Sequence, residues 1–179
     1  MKRLFAPLVL AAALLAGCQE NVARVKPAAV EMTRDAIGYY CQMAVMEHEG
    51  PKAQVHLAGN PHPLWFEQVR EAFSYLRSQE RDGEIVALYV SDMGRAESWE
   101  EPGTRNWIDA DKALFVIESR QVGGAGDPEA IPFGDRAAAE AFVTANGGRI
   151  VAIGEIPEGF AGPKVASADG THAVEPTEH

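Results

Sequence analysis

The apolar positions of this chain predict a first unit of two short strands, a helix and a third strand. Apolar runs over Cys41–Met46 and Gln54–Leu57 predict the two strands. Pro63 is suited to the first turn of a helix. Residues spaced near i, i+3, i+7 and i+10 form the apolar stripe of that helix: Phe66, Val69, Phe73 and Leu76. The β-rich run Ile85–Leu88 then predicts the closing strand.

A second unit with the same order of elements follows. Strands are predicted over Asn106–Asp109 and Leu114–Glu118, before a helix with Asp135 as its N-cap. The predicted stripe of this helix consists of Ala138, Ala141, Phe142 and Ala145. Gly147-Gly148 ends the helix where a left-handed residue is wanted, and Ile150–Ile153 predicts the last strand.

The two units also share short stretches of sequence. Arg70–Phe73 in the first helix matches Ala139–Phe142 in the second, and a β-rich run follows each of them. We therefore predict an α+β fold of two similar ββαβ half-domains, residues 37–96 and 97–156. Their sheets should be mostly antiparallel, with helices on one face.

The N-terminus has the pattern of a bacterial lipoprotein leader. An apolar run from Leu4 to Leu15 follows two basic residues and leads to Leu-Ala-Gly-Cys, which ends at Cys18. The run is shorter than the roughly 20 residues of a membrane span. We expect residues 1–17 to be removed and Cys18 to carry the lipid, and Gln19 favours the outer membrane over the inner one. An ordinary secretory leader or a buried segment is the alternative.

Composition limits what the remaining chain can do. Residues 18–36 are predicted to be a flexible tether, and residues 157–179, rich in Gly, Pro, Ala and acids, a disordered tail. The formal net charge is −10. Loss of the leader would remove Lys2 and Arg3 and make the charge more negative. Such an acidic chain should repel nucleic acids and anionic headgroups. We expect a periplasm-facing protein that its acyl chains hold at the membrane.

Cysteine content points to soft-metal chemistry. With Cys18 lipidated, Cys41 is the one remaining thiol, which excludes a dithiol oxidoreductase. Met43 stands two residues away, and on a strand both sulfurs would lie on one face. A thiolate with a thioether favours Cu(I). We predict Cys41 and Met43 as ligands and prefer Met93 as the third, since Met46 would face the opposite side of a regular strand.

Several longer motifs resemble the nitrous oxide reductase accessory lipoprotein family, NosL. In chain order they are Cys41-Gln42-Met43, Tyr89–Asp92, Asn106–Ala110, Ile131–Phe133 and Asn146–Arg149. They correspond to that family's Cys-Gly-Met, Tyr-Val-Thr-Asp, Trp-Ile-Asp-Ala, Ile-Pro-Phe and His-Gly-Gly. The resemblance covers residues 37–156. Gln42 in place of glycine, and a loop over residues 123–126 without a methionine, depart from the pattern.

The resemblance implies a metallochaperone that binds one Cu(I) per monomer through Cys41 and Met43. It implies delivery of copper for the copper-sulfide centre of nitrous oxide reductase, together with a membrane ABC-transporter complex and its periplasmic partner. It also implies a fold similar to part of organomercurial lyase. The expected localisation is the periplasmic side of the outer membrane, as a monomer.

Catalysis is not expected, because the chain lacks a second free thiol for a lyase and the motifs of common hydrolases. Three other interpretations are open. A lipid-anchored adaptor that binds only protein could use its three tryptophans. A zinc site could combine Cys41, Glu47, His48 and His56. Cys41 beside a methionine could also simply be core packing.

Overall fold

The protein is described here by a computed structural model that covers residues 26–161. In that range the chain forms seven strands and two α-helices. In chain order they are β1 (Ala53–Leu57), β2 (Leu64–Phe66), α1 (Val69–Arg77), β3 (Ile85–Ser91), β4 (Trp107–Asp109), β5 (Leu114–Ile117), β6 (Ile131–Phe133), α2 (Arg136–Asn146) and β7 (Arg149–Ala152). The predicted leader, Cys18 and residues 162–179 lie outside the described residues. Neither helix combines the length and apolar character needed to cross a membrane.

The first sheet has the strand order β2-β1-β3-β4, and every neighbouring pair is antiparallel. β1 is buried along its whole length because neighbouring strands flank it and both its faces are covered. Two expectations are wrong here. Pro63 precedes β2 rather than opening a helix, and β4 pairs with β3 in this sheet rather than with the second unit.

The second sheet has the strand order β6-β5-β7 and is also antiparallel. The Asp135 carboxylate accepts a hydrogen bond from Ala138 N, and Gly147 ends α2 at a φ of 72°, so both predicted helix signals are confirmed. The apolar stripe is shifted from its predicted position. Ala139, Phe142 and Val143 pack on the sheet, whereas the predicted Ala141 and Ala145 are exposed.

One hydrophobic core joins the two sheets. Phe73 of α1 packs edge-on against Phe115 of β5, with ring centroids 5.4 Å apart. At the end of β3, the buried Asp92 carboxylate accepts hydrogen bonds from Gly94 N at 3.0 Å and Gly134 N at 2.9 Å. The α+β prediction is therefore confirmed. The element order strand, strand, helix, strand occurs twice, while internal likeness of two half-domains stays a prediction.

Residues 26–36, the N-terminal segment, lie along the first sheet, although they fall within the predicted tether. The Gln54 side chain bonds both backbone groups of Val30, at 2.9 Å to its N–H and 3.0 Å to its carbonyl. Tyr89 donates to Pro27 O, and the Lys26 ammonium contacts Asp109 at 2.7 Å. This part of the chain is fixed to the globule. Residues 158–161, placed in the predicted tail, likewise form a short 3-10 helix.

Candidate metal centre

Cys41 lies in a tight turn and not on the predicted strand. An antiparallel bridge between Ile37 and Ala44 closes residues 38–43, which we call the Cys41 turn. Gly38 N donates to Met43 O at 2.8 Å across its base. The turn leads into a 3-10 helix, Val45–Glu47. The predicted strand over Cys41–Met46 is therefore wrong, and the sulfur positions depend on the turn.

The turn folds the backbone around the Cys41 sulfur. Gln42 adopts a left-handed conformation with φ of 58°, which brings Met43 N within 3.4 Å of Cys41 Sγ. The Gln42 side chain donates to Tyr39 O at 2.7 Å and holds this shape. On the other side, a Cβ on Gly38 would meet Cys41 Sγ at 2.5 Å. The thiol thus lies in a close-fitting backbone pocket that requires glycine at position 38.

Two further potential ligands reach Cys41 from other parts of the chain. His48 follows the 3-10 helix, and Glu67 lies between β2 and α1. One ring nitrogen of His48, one carboxylate oxygen of Glu67 and Cys41 Sγ all lie within 4.8 Å of one another. Glu67 is 4 % exposed, whereas Cys41 is half-buried. A single small ion could contact all three.

The polar atoms of this cluster lack complete hydrogen bonding. His48 Nε2 and Glu67 Oε2 are 2.8 Å apart, which is within the distance of an ion pair. Among the described residues, the buried side-chain atoms without a hydrogen-bond partner are His48 Nε2, Glu67 Oε2, Gln68 Oε1 and Glu71 Oε2. Burial of unsatisfied polar atoms costs about 1–3 kcal/mol each. Two of these four atoms, His48 Nε2 and Glu67 Oε2, belong to the cluster with Cys41, where a bound cation would give them a partner.

Burial and negative charge set the protonation of the site. Burial, and next the hydrogen bond to Glu67, raise the pKa of the Cys41 thiol. Burial and the neighbouring Glu67 charge raise the pKa of Glu71 to about 7. Burial lowers the pKa of Lys52 to about 8, although several carboxylates oppose that shift. The thiol is therefore protonated at neutral pH, and a metal ion must displace its proton.

The surface around the Cys41 turn is apolar. Of the six large apolar side chains that the described residues leave exposed, four lie between residues 37 and 46: Ile37, Tyr40, Met43 and Met46. Met43 is 48 % exposed, so its thioether is free to turn toward an ion or away from it. Cys41 is not enclosed among aliphatic side chains, which argues against the core-packing interpretation.

The structure places Met93 in another environment. It follows β3 and packs partly buried against the second-sheet cluster that contains Phe133 and Ala139. It also lines a cavity of about 260 Å3 with Trp99 and Phe142. Cys41, in contrast, contacts Gly38 and Met43 within its own turn. Met93 as the third ligand stays a prediction, without support from these contacts.

The alternative zinc set is only partly assembled. His56 is buried on β1, where its Nε2 lies 2.8 Å from Gln54 Oε1. The exposed Glu47 is not in the cluster with Cys41, and Glu67 stands in its place. The loop without the family methionine packs beside the site, since a Cβ on Gly124 would lie 3.6 Å from His48 Cβ.

The sequence interpretation missed Glu67 and gave His48 only a secondary place. On a regular strand His48 would point away from Cys41, but the turn and the 3-10 helix reverse the chain between them. Glu67 comes close only because Tyr39 N pairs with Trp65 O beside β2. A Cys-x-Met motif followed by histidine within seven positions was the signal available.

Comparisons with known proteins agree on one family. A sequence model of the NosL family matches residues 29–161. A curated protein from Achromobacter cycloclastes, named copper-binding lipoprotein NosL, is 47 % identical over 156 residues, which cover 86 % of this chain and 80 % of that protein. The crystal structure of the copper chaperone NosL from Shewanella denitrificans is 29 % identical, with a TM-score of 0.66, and covers 74 % of this chain and 96 % of that one. The solution structure of apo-NosL from Achromobacter cycloclastes is 45 % identical, with a TM-score of 0.47, and covers 65 % and 94 % of the two chains.

Proposed function

This chain belongs to the NosL family, and from that membership we propose that it binds one Cu(I) ion per monomer and hands it to a partner. The observation that carries the proposal is the convergence of Cys41 Sγ, a His48 nitrogen and a Glu67 oxygen within 4.8 Å. Relatives are named a copper-binding lipoprotein and a copper chaperone, and neither name describes an enzyme. The expectation of a binding protein without catalysis agrees with them.

The proposed ligands are Cys41, Met43 and His48. A thiolate, a thioether and an imidazole form a soft set, which favours Cu(I) over harder ions. Glu67 then orients the imidazole, as carboxylates behind metal-bound histidines commonly do. As Cu(I) binds, the S–H bond of Cys41 breaks and the metal–sulfur bond forms. The thiol proton leaves to the solvent, which reaches the half-buried Cys41, and Glu67 stays a carboxylate.

Handover requires that an acceptor can reach the bound ion. Three ligands leave one side of Cu(I) open for an incoming ligand. The exposed apolar side chains of Ile37, Tyr40, Met43 and Met46 lie within residues 37–46, on and beside the Cys41 turn, and offer a contact surface. We propose that the acceptor belongs to the ABC-transporter complex that matures the copper-sulfide centre of nitrous oxide reductase. A lipid on Cys18 would hold the protein at the outer membrane, facing the periplasm.

Anaerobic titration of the chain with Cu(I), against a competing chelator, tests the site. We expect one tight equivalent in the unmodified protein and its loss in Cys41→Ala. Met43→Ala and His48→Ala, which each remove one proposed ligand, should weaken binding by at least about 10-fold, or about 1.4 kcal/mol. Met93→Leu tests the remaining sequence prediction, and a comparable loss there would restore Met93 as a ligand. Unchanged affinity in Cys41→Ala would refute the proposed site.

The delivery role needs a cellular test. A strain that lacks this gene should accumulate nitrous oxide reductase deficient in copper-sulfide centre, while the reductase polypeptide is still made. The unmodified gene should restore the copper content of the purified reductase, and Cys41→Ala should not. Equal restoration by both genes would show that copper delivery does not use this site.

Zinc is the second candidate, because a thiolate, an imidazole and a carboxylate also form a common Zn(II) set. Titration with both ions separates the two functions. A Cu(I) chaperone should retain copper against excess Zn(II), whereas displacement of Cu(I) by Zn(II) would favour a zinc-binding lipoprotein.

A further inference from the structure

A second group of soft ligands lies on the other side of His48. A cavity of about 390 Å3 opens between the 3-10 helix Val45–Glu47 and the loop at residues 100–104. Met32, Met46 and His48 all belong to its lining, so two thioether residues and one imidazole residue share this cavity. Cys41 and Met43 are not among the lining residues. The cavity is therefore separate from the Cys41 turn but adjoins it through His48.

The two methionines differ in how firmly they are held. Met32 is 4 % exposed, packs beside Ala36 and Val45, and has its backbone N–H fixed to Thr104 O at 2.9 Å. Met46 is 42 % exposed on the 3-10 helix. One thioether is thus fixed in the wall, and the other can move at the mouth.

The charged residues around the cavity are one cation and two carboxylates. Lys52 lies in the wall, where its Nζ donates to Glu49 O at 2.9 Å and Glu67 O at 3.2 Å. Glu100 and Glu101, at the loop, outnumber it and supply negative charge that attracts cations. The choice among cations then depends on the ligand atoms. Neutral thioethers favour soft ions, so the cavity suits a soft cation.

We propose that this cavity is a second and weaker Cu(I) site, with Met32 and Met46 as its ligands. The proposal rests on the proposed function in that copper is taken as the cargo. Thioethers without a thiolate bind Cu(I) less tightly than the Cys41 turn does. An ion held here would lie next to the Cys41 site, because His48 both lines the cavity and belongs to the cluster with Cys41. The cavity would therefore serve as an entry site, from which Cu(I) passes to Cys41.

Methionine methyl NMR can follow the two sites separately. The full chain, labelled with 13C at its methionine methyl groups and kept in detergent without oxygen, is titrated with Ag(I) as a stand-in for Cu(I). We expect the Met43 methyl to shift with the first equivalent and the Met32 and Met46 methyls with the second. Absence of any shift at Met32 and Met46 would overturn the proposal.

Two exposed methionines three positions apart supply matched controls. Met46→Leu should weaken the second equivalent by at least about tenfold and leave the first unchanged. Met43→Leu should weaken binding of the first equivalent and leave binding at the cavity unchanged. Retention of the second equivalent in Met46→Leu would contradict the assignment.

Cys41→Ala separates this inference from the proposed function. In that variant the Met32 and Met46 methyls should still shift, now with the first equivalent added. Loss of their shifts would show that only one site exists. Persistent shifts, in a protein whose Met43 methyl never responds, would sustain the cavity site while the proposed Cys41 site fails.

Discussion

At the scale of single residues, the Cys41 turn depends on two positions that are not among the proposed ligands. Gly38 leaves room for the Cys41 sulfur, and Gln42 takes a left-handed conformation at φ 58° that non-glycine residues adopt at a cost of about 1–2 kcal/mol. The Cys-Gly-Met motif that residues 41–43 resemble has glycine at this position, which suits the conformation. In this chain, the hydrogen bond from the Gln42 side chain to Tyr39 O offsets part of the strain.

Gly38→Ala should therefore impair metal binding without direct loss of a ligand. Its Cβ would lie 2.5 Å from Cys41 Sγ, so either the sulfur or the turn must move. Overpacking of this kind costs about 1–3 kcal/mol. If the whole cost falls on the copper-bound state, the Cu(I) affinity should drop by roughly 5- to 150-fold. Competition with a Cu(I) chelator measures the change.

Gly154→Ala is the matched control for that variant. A Cβ there would meet no atom within 4 Å, and its φ is not in the left-handed range. We expect its Cu(I) affinity to equal that of the unmodified protein. Equal affinity in Gly38→Ala would show that the turn opens freely and does not constrain the sulfur.

Glu71 gives the stability of the protein a dependence on pH. Its pKa is raised from the ordinary 4.5 to about 7, so the folded state binds this proton more readily than the unfolded state. The contribution is present in full below pH 4.5 and is lost as the pH rises through about 7. In Glu71→Gln the free energy of unfolding should no longer fall over this pH range. The fall in the unmodified protein should be of order 1 kcal/mol, because the group is partly solvated.

Urea unfolding at a series of pH values tests this expectation. Glu140→Gln, on the exposed face of α2, provides the comparison. The difference between the unmodified protein and Glu71→Gln should grow from acid toward neutral pH, in favour of the variant. Parallel stability curves for these two proteins would show that Glu71 is ionised in the fold at neutral pH.

At the scale of elements, the sequence identifies structure where local signals act alone. Asp135 and the glycine pair at 147 determine α2, and the apolar runs determine β1 and β5. The start of α1 has no such signal, because Gln68 at its N-cap makes no side-chain cap. Glu129, about sixty residues later, supplies the cap instead. Its carboxylate accepts hydrogen bonds from Val69 N at 3.2 Å and Arg70 N at 2.9 Å.

Glu129→Ala should therefore cost more stability than loss of an ordinary helix cap. The substitution leaves two helix N–H groups buried without acceptors, at about 1–3 kcal/mol each before relaxation. Asp135→Ala removes the exposed cap of α2 and should cost about 1 kcal/mol. Urea unfolding of both variants gives the comparison. Equal losses would indicate that water replaces the Glu129 carboxylate.

At the scale of the whole molecule, the pattern of the chain does not specify which elements become neighbours. The strand predicted over Asn106–Asp109 is present as β4, Trp107–Asp109, but the sequence does not predict its pairing with β3, since three residues fit either sheet equally well. The N-terminal segment was predicted to be free because it contains few apolar residues. Gln54, a polar residue on a fully buried strand, binds its backbone instead. The cluster of Cys41, His48 and Glu67 also depends on a contact between distant parts of the chain, the hydrogen bond from Tyr39 N to Trp65 O. The sequence pattern therefore selects Cys41 and Met43 as ligands but does not bring Glu67 to them.

The N-terminal segment leads directly into the Cys41 turn, so its attachment should be visible in hydrogen exchange. In Gln54→Leu, Val30 N loses its acceptor, and this amide should exchange at least about tenfold faster. The Met32 amide, whose acceptor is Thr104 O, is an internal reference and should keep its protection. Retained protection at Val30 would show that packing alone holds the segment. Faster exchange at both amides would show that Gln54 holds the whole segment, including the residues that lead into the Cys41 turn.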